Sequence, residues 1–384
     1  MAEQAAVNRR VGGSKPSSGA SFPATIVDVA VEPLSIPLRE PFAIATATLH
    51  TTRAALVRAT LEDERGRRAV GLGEAAALPP VTREDQPDLL AAIAAAAGAI
   101  RGSVTGPEDA ATLVERAFPA GGPARAGTEA AILDGWARLA GVPLYAALGR
   151  ADAGATIELV TDITLPISDP VRMAAAARAH AGRGFTCFKV KVGRDWRADI
   201  ASLRAVAQAV PGARFRLDAN AGFGARDARA LLDAALADGL AIECYEQPCG
   251  AGDLAGMAEV AATSPVPVVA DESFRSAEDL DNLLRARAAQ GVNLKLVKLG
   301  GLLATLDLGR RAQAAGLRLM AGAMVETRVG LLAMAHVVAA LGGVDWVDLD
   351  TAFLLTDDPF AGGYDAEGAR LTLAPGSGTG VRAQ

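Results

Sequence analysis

The chain is poor in the residues that soft-metal sites and disulfide scaffolds are made from. Its 384 residues include three cysteines and three histidines. Cys187, Cys244 and Cys249 are odd in number, lack CxxC spacing and fall on or near predicted strands. They read as buried thiols in a reducing compartment, the cytoplasm, and not as bridges. No apolar run approaches the roughly 18 residues that cross a bilayer, which leaves no membrane span. Lysines and arginines form no long run and the formal net charge is −6, so nothing marks a nucleic-acid track or a membrane-surface patch. A small molecule is the partner these absences leave. Residues 1–22 are rich in Ser, Gly and Ala and contain the pair Arg9 and Arg10. The stretch VGGSKPSSGA that follows is not the apolar segment an export signal needs, and the whole segment reads as a disordered tail.

What is present is an ordinary globular composition, 51% hydrophobic and 21% charged, in a chain long enough for a barrel and a second, smaller domain. From Thr25 come strand-like runs, TIVDVAVEPLSIPL, RAALVRATLE and RRAVGLGEA, with loops expected over 41–52 and 76–87. Alanine-rich helical stretches follow, in which Leu90, Ile93, Leu113, Val114, Phe118, Ile132, Leu133 and Trp136 recur at helical spacing. Strands then helices, without alternation, describe an α+β lobe over 23–145. From about residue 155 strands and helices alternate strictly, and eight strand candidates appear: IELVTDI, FKVKV, RFRLDA, IECYEQ, VPVVAD, VNLKLV, LRLMAG and WVDLD. This is the pattern of a parallel barrel over 146–351. A doubly wound open sheet would carry a Gly-rich phosphate loop after its first strand, and TLPISDP is not one. Residues 352–384 lose the alternation and are expected to return to the first lobe.

Five ionisable residues sit at or just past the ends of successive barrel strands, roughly 25 residues apart, which is about one strand-plus-helix unit. They are Lys191 in FKVKVG, Asp218 in RLDAN, Glu246 in YEQP, Asp271 in ADES and Lys295 in NLKLVK. Three carboxylates from three adjacent strands make a hard, oxygen-only pocket suited to Mg²⁺. His50, His180 and His336 lie elsewhere, which disfavours zinc. The second and sixth strands of an eight-stranded barrel stand opposite each other, so Lys191 and Lys295 are expected to approach one central ligand from two sides. A proton alpha to a carboxylate is removable only if the resulting enolate is stabilised, and a divalent ion does this. Lys189, on the same face as Lys191, is expected to lower the pKa of the base. A Schiff-base lysine is the rival reading; it explains neither the second lysine nor the acids.

With KVKVG, LDAN, EQP, ADES and NLKLVK followed by GG, in order and at proper spacing over nearly the whole chain, the sequence resembles the enolase superfamily, muconate-lactonizing subgroup. The resemblance implies an α+β capping domain and a modified TIM barrel, (β/α)7β. It also implies Asp218, Glu246 and Asp271 as Mg²⁺ ligands, Lys191 and Lys295 as acid/base catalysts, and Lys189 as an assistant. WVDLDT places Asp348 and Asp350 on one strand face, and resembles the DxD of dipeptide epimerases, whose two acids hold the ammonium of the substrate's N-terminal residue. Ungapped counting from Pro41 and Phe42 puts Ala47 where Ala-Glu epimerases carry an arginine. The loop PFAIATATL is apolar instead, so a hydrophobic or uncharged second residue is expected, with Arg53 nearby as a possible partner for an acidic one. Gly322 and Glu326 in AGAMVETRVG match the family at the seventh strand and are expected to shape the pocket floor. The activity implied is that of a dipeptide epimerase, in a homo-oligomer. The alternatives within the superfamily are an N-acylamino acid racemase, a muconate cycloisomerase and a lyase of the o-succinylbenzoate synthase type. Such a lyase has no ammonium for Asp348 and Asp350 to bind.

Overall fold

The computed structural model describes residues 21–374 and 376–384; most of the expected tail, with Arg9 and Arg10, lies outside them. The first lobe opens with β1 (Ala24–Leu34), β2 (Pro37–Ala43), β3 (Thr48–Thr51), β4 (Arg53–Asp63) and β5 (Arg68–Ala77). It continues with α1 (Gln86–Ile100), β6 (Gly102–Val104), α2 (Pro107–Ala117) and α3 (Gly122–Ala140). Strands β5, β4, β1 and β6 form an antiparallel sheet in that order, and β2 and β3 form a separate hairpin. The loop expected over 41–52 is therefore mostly this hairpin: Phe42 pairs with Leu49, and only residues 44–47 turn, with Ile44 N donating to Ala47 O at 3.0 Å. Pro41 hid it, because proline within a short run reads as a breaker. The second expected loop shrinks to residues 78–85, since Asp85 caps α1 and Pro87 sits in its first turn.

Helix α3 lies directly on β5. A Cβ on Gly71 would sit 2.0 Å from Ala131 O, and one on Gly73 2.0 Å from Gly127 O. The alternate glycines of GLGEA thus let helix backbone meet strand backbone.

After α4 (Leu144–Ala147) and β7 (Ile157–Val160) the barrel runs β8 (Ile163–Leu165), α5 (Pro170–Ala181), β9 (Cys187–Lys191), α6 (Trp196–Ala209), β10 (Arg214–Asp218) and α7 (Ala225–Ala237). Then come β11 (Ala241–Glu246), α8 (Leu254–Thr263), β12 (Val268–Ala270), α9 (Ala277–Ala286), β13 (Gly291–Leu294), α10 (Leu296–Leu299), α11 (Leu302–Ala314), β14 (Arg318–Gly322), α12 (Arg328–Leu341) and β15 (Trp346–Asp348). The eight strands β8 to β15 are neighbours in sequence order. A parallel bridge from Thr161 to Val347 joins the two ends of the sheet. Seven strands are followed by helices and the eighth is not, which is the (β/α)7β barrel expected. One strand candidate, IELVTDI, is split. Ile163–Leu165 is the barrel strand, whereas Ile157–Val160 pairs with the C-terminal hairpin β17 (Tyr364–Glu367) and β18 (Arg370–Leu373). That hairpin is preceded by β16 (Phe360–Gly362), which pairs with β19 (Val381–Ala383). The C-terminal segment also meets the first lobe: Thr379 N donates to Asp134 of α3 at 2.6 Å, and Thr356 N to Pro37 O at 2.9 Å.

Caps place the helix starts and hence the loops at the barrel mouth. Asp169, Asp195, Asp253, Ser276 and Thr327 each accept a backbone N–H at the start of their helix. Two barrel helices are capped from the first lobe. Glu129 of α3 accepts from Leu303 N of α11 at 2.9 Å, and Glu74 of β5 accepts from Thr327 N and Gly330 N at the start of α12. Glu129 is buried, and burial raises its pKa to about 7 against the pull of Leu303 N and the nearby Arg125, with Glu115 adding repulsion. A carboxyl raised in the folded state holds more protons folded than unfolded. Its contribution is complete below pH 4.5 and is lost as pH climbs through about 7. Urea unfolding of the wild type and Glu129→Gln should therefore show wild-type stability falling relative to the variant between these limits, by on the order of 3 kcal/mol. A difference that stays flat or grows with pH would contradict this.

Candidate active site

The barrel mouth is charged because buried parallel strands alternate inward and outward. In β9 the apolar Phe188 and Val190 face one way, and Lys189 and Lys191 the other; all four are buried. Asp218 and Glu246 end β10 and β11 and lie side by side in register. The chain then bends sharply, with left-handed φ of 42° at Asn220, 63° at Ala221 and 35° at Gln247. Such bends cost roughly 1–3 kcal/mol each for residues with side chains. They are held by Ala219 N to Glu246 O at 3.1 Å and Ala221 N to Gln247 O at 2.9 Å. The Gln247 side chain accepts from Asp271 N and Ser273 N at 2.8 and 3.1 Å, tying the turn after β11 to the turn after β12.

Lysine ammonium groups stand between the acids. Lys189 Nζ lies 3.0 Å from Asp218, 2.7 Å from Glu246 and 2.7 Å from Asp348. Lys191 is 2.6 Å from Asp218, and Lys295 is 2.8 Å from Asp271. Lys298 contacts the other oxygen of Asp271 and donates to Asp271 O at 2.6 Å. Lys191 and Lys295 line one cavity, from strand positions with β10, β11 and β12 between them. Lys189 shares the strand face of Lys191, as expected, and three carboxylates surround it. Burial and the neighbouring Lys189 work against the Lys295 ammonium, but Asp271 outweighs them and holds the lysine above its ordinary range. Asp218 is held low: burial works upward on it, and Lys189 and Lys191 outweigh that. Glu246 is raised to about 7 by burial and the neighbouring Asp218.

The donor set fits a hard cation. Glu246 Oε2 and Asp271 Oδ1 are buried without a directional hydrogen-bond donor, although Lys189 and Lys298 lie close to them, and every candidate ligand is a carboxylate. Yet Asp218, Glu246 and Asp271 do not draw their oxygens into one knot. Among the described residues the three acids whose oxygens all lie within 4.8 Å of one another are Asp162, Asp348 and Asp350. That cluster already holds two cations, Lys189 on Asp348 and Arg216 on Asp162 at 2.8 Å, which leaves little charge for a divalent ion. Asp348 faces the cavity, where burial works upward on its pKa and Lys189 outweighs it. Asp350 is fully buried behind it, accepts from Thr164 N at 2.5 Å, and is raised to about 7 by burial and by Asp348.

The remaining expected residues divide. Gly322 is where space is required: a Cβ there would lie 2.7 Å from Asn293 Oδ1 and 2.9 Å from Lys295 Cε. Glu326 accepts from Met324 N at 2.8 Å and does not line the cavity. Ala47 sits at the hairpin tip and does not line it either; Phe42 and Ile44 of the same hairpin do, with Leu78 and Val81. Arg53 is committed to Asp85 by two contacts of 2.5 Å, so it offers no partner to an acidic ligand. Sequence reasoning missed Asn293, which donates to Glu246 at 2.6 Å from two residues before Lys295, a period-two signal that was available. It also missed Lys298, the Asp162–Arg216 pair and the Gln247 clamp, which no local pattern marks.

Residues 172–384 match the family model described as enolase C-terminal domain-like. Residues 26–149 match that of the mandelate racemase / muconate lactonizing enzyme N-terminal domain. The chain is 38% identical over 362 residues to an aromatic dipeptide epimerase of Herpetosiphon aurantiacus, covering 94% of this chain and 99% of that protein. It is 32% identical over 360 residues to an L-Ala-D/L-Glu epimerase of Bacillus subtilis, covering 93% and 96%. The structure of a dipeptide epimerase from Enterococcus faecalis V583, complexed with Mg and the dipeptide L-Leu-L-Tyr, superposes with a TM-score of 0.84 at 33% identity, covering 94% of this chain and 100% of that one.

Arg216 is the cation whose loss should be felt most by the fold. It pairs with Asp162 and with Glu243, and donates to Val347 O at 2.8 Å. Arg216→Met would leave Asp162 buried and unpaired, a change that costs about 3–5 kcal/mol. Urea unfolding at neutral pH measures it; a loss under about 1 kcal/mol would show that the pair is dispensable.

Proposed function

Because the chain belongs to the mandelate racemase / muconate lactonizing enzyme family of the enolase superfamily, we propose that it is a Mg²⁺-dependent dipeptide epimerase. It inverts the α-carbon of the dipeptide's second residue by 1,1-proton transfer through an enolate, and favours a hydrophobic or uncharged second residue. The observation that carries this reading is the pair Lys191 and Lys295, which line one cavity from opposed strands with a row of acids between them.

Asp218, Glu246 and Asp271 are the residues that would hold Mg²⁺, which supplies Lewis-acid stabilisation of the negative charge that develops on the substrate carboxylate. Asp271 also holds the Lys295 ammonium at 2.8 Å, so binding of the ion by Asp271 would weaken the contact that keeps Lys295 protonated. One lysine then takes the α-proton while the other, still an ammonium, returns a proton to the opposite face. Lys189 stays charged among its carboxylates and positions Asp218 and Glu246. Asp348 faces the cavity and is the contact for the dipeptide's ammonium, with Asp350 packed behind it. Phe42, Ile44, Leu78 and Val81 close the mouth and keep water from the enolate. They also supply the apolar surface that a hydrophobic side chain fills, in line with the aromatic dipeptide epimerase among the relatives and with the L-Leu-L-Tyr bound in the Enterococcus faecalis structure. Free, buried thiols suit a reducing compartment, and we place the enzyme in the cytoplasm as a homo-oligomer acting on free dipeptides.

In D₂O, L,L-dipeptides should gain deuterium at the second α-carbon, as read by mass spectrometry. Lys191→Ala and Lys295→Ala should each lower epimerisation about 10³-fold. Chelation should abolish exchange and Mg²⁺ should restore it. Elimination products without exchange would contradict the reading. Asp348→Asn should lower kcat/KM for dipeptides about 10²-fold, the weight of a charge-assisted contact, and leave N-acylated amino acids within a few-fold. Equal losses on both would remove the case for dipeptides. Across a dipeptide library, a best kcat/KM with Ala-Glu would overturn the specificity.

A further inference from the structure

Part of the cavity wall is made by Ala323, Met324 and Val325, in the loop between β14 and α12. That loop is held from the other lobe. Glu74 on β5, 4% exposed, accepts from Thr327 N at 3.0 Å, from Thr327 Oγ1 at 2.5 Å and from Gly330 N at 3.2 Å. The loop is also folded on itself by Met324 N to Glu326 Oε1 at 2.8 Å, and is tied to the segment after β15 by the exchange of hydrogen bonds between Glu326 and Thr351. Both carboxylates converge on Gly330, where a Cβ would lie 2.0 Å from Glu326 Oε2, so no side chain fits between them. Among the described residues no lysine or arginine bonds Glu74; its three donors are all on Thr327 and Gly330. The two acids face each other in a buried place, and Glu74 is raised to about 8 by burial and by Glu326. A buried carboxyl group is kept there, at the cost of its desolvation, by three donors on the loop walling the cavity and the first turn of the helix that follows it.

We propose that Glu74 is a positioning residue of the reaction: from the capping lobe it fixes residues 323–327 of the barrel's seventh loop and so sets the fit of the substrate against the pocket wall. This rests on the dipeptide-epimerase reading for its substrate, but not for its structural part. Glu74 touches neither the lysines nor the proposed ligands, so its loss acts on binding and not on proton transfer. Glu129, the other acid that reaches from the lobe to a barrel helix, bonds α11 and serves as the comparison.

Two readouts test it on the full-length protein. Amide hydrogen exchange without ligand should quicken at least tenfold in peptides covering 323–331 of Glu74→Ala, and remain at wild-type rates in peptides covering 302–306. Glu129→Ala should show the reverse pattern. In steady state with Mg²⁺ and a hydrophobic L,L-dipeptide, Glu74→Ala should raise KM tenfold or more and change kcat less than threefold. Glu74→Gln keeps one acceptor oxygen and should fall between, with KM up about threefold. If the alanine variant does not fold, the glutamine variant carries the test in both readouts. Uniform quickening across the lobe contact with KM unchanged would make Glu74 merely structural and overturn the proposal, as would wild-type values in both variants. If the wild type turns over no dipeptide, the functional reading fails, and the exchange pattern alone still decides whether Glu74 fixes the loop.

Discussion

Mutual neutralisation of buried charge is the constraint on which this structure depends. Lys189, Lys191, Lys295 and Lys298 and the acids Asp218, Glu246, Asp271 and Asp348 are all nearly out of water, and each would be costly alone. They are tolerated because each ammonium contacts at least one carboxylate. The barrel supplies the geometry: strands place a residue inward at every second position, and sharp bends after Asp218 and Glu246 stop the chain with its acids pointing into the mouth. In the proposed reaction the same network would supply the base, since a lysine held by an acid would be freed if that acid were drawn to the metal.

The two lobes divide the work. Charged groups come from barrel strands, while the hairpin residues Phe42 and Ile44 and the following loop residues Leu78 and Val81 come from the first lobe and are apolar. Arg194, just past β9, donates to Ile44 O at 2.8 Å, and Ile167 N donates to Ala43 O at 2.9 Å. The hairpin is thus pinned to two barrel loops. On the proposed reading, substrate choice sits on this apolar surface, which can change without disturbing the charges beneath it.

Much of this was legible in the chain. The five strand-end ionisable residues announced themselves because one strand-plus-helix unit has a nearly constant length and strand faces repeat every two residues. Asp348 and Asp350 were legible for the same reason, and the structure does bring them together. What stayed hidden depended on distance in sequence. Glu74 meets Thr327 across 253 residues, and Asp162 meets Arg216 across 54; no local period marks either. The split of IELVTDI was hidden because both pieces are good strands and only tertiary pairing assigns them. Ala47 was located by counting along a loop, which a hairpin shifts, whereas its neighbours Phe42 and Ile44 are the residues that reach the cavity.

The central claim is that two lysines address one carbon from opposite sides while three acids share one ion. A crystal structure with Mg²⁺ and an L,L-dipeptide tests it most directly. The account predicts a single ion bound by Asp218, Glu246 and Asp271, with Lys191 Nζ and Lys295 Nζ on opposite faces of the second residue's α-carbon. An ion seated instead among Asp162, Asp348 and Asp350, or both amines on one face of that carbon, would contradict it.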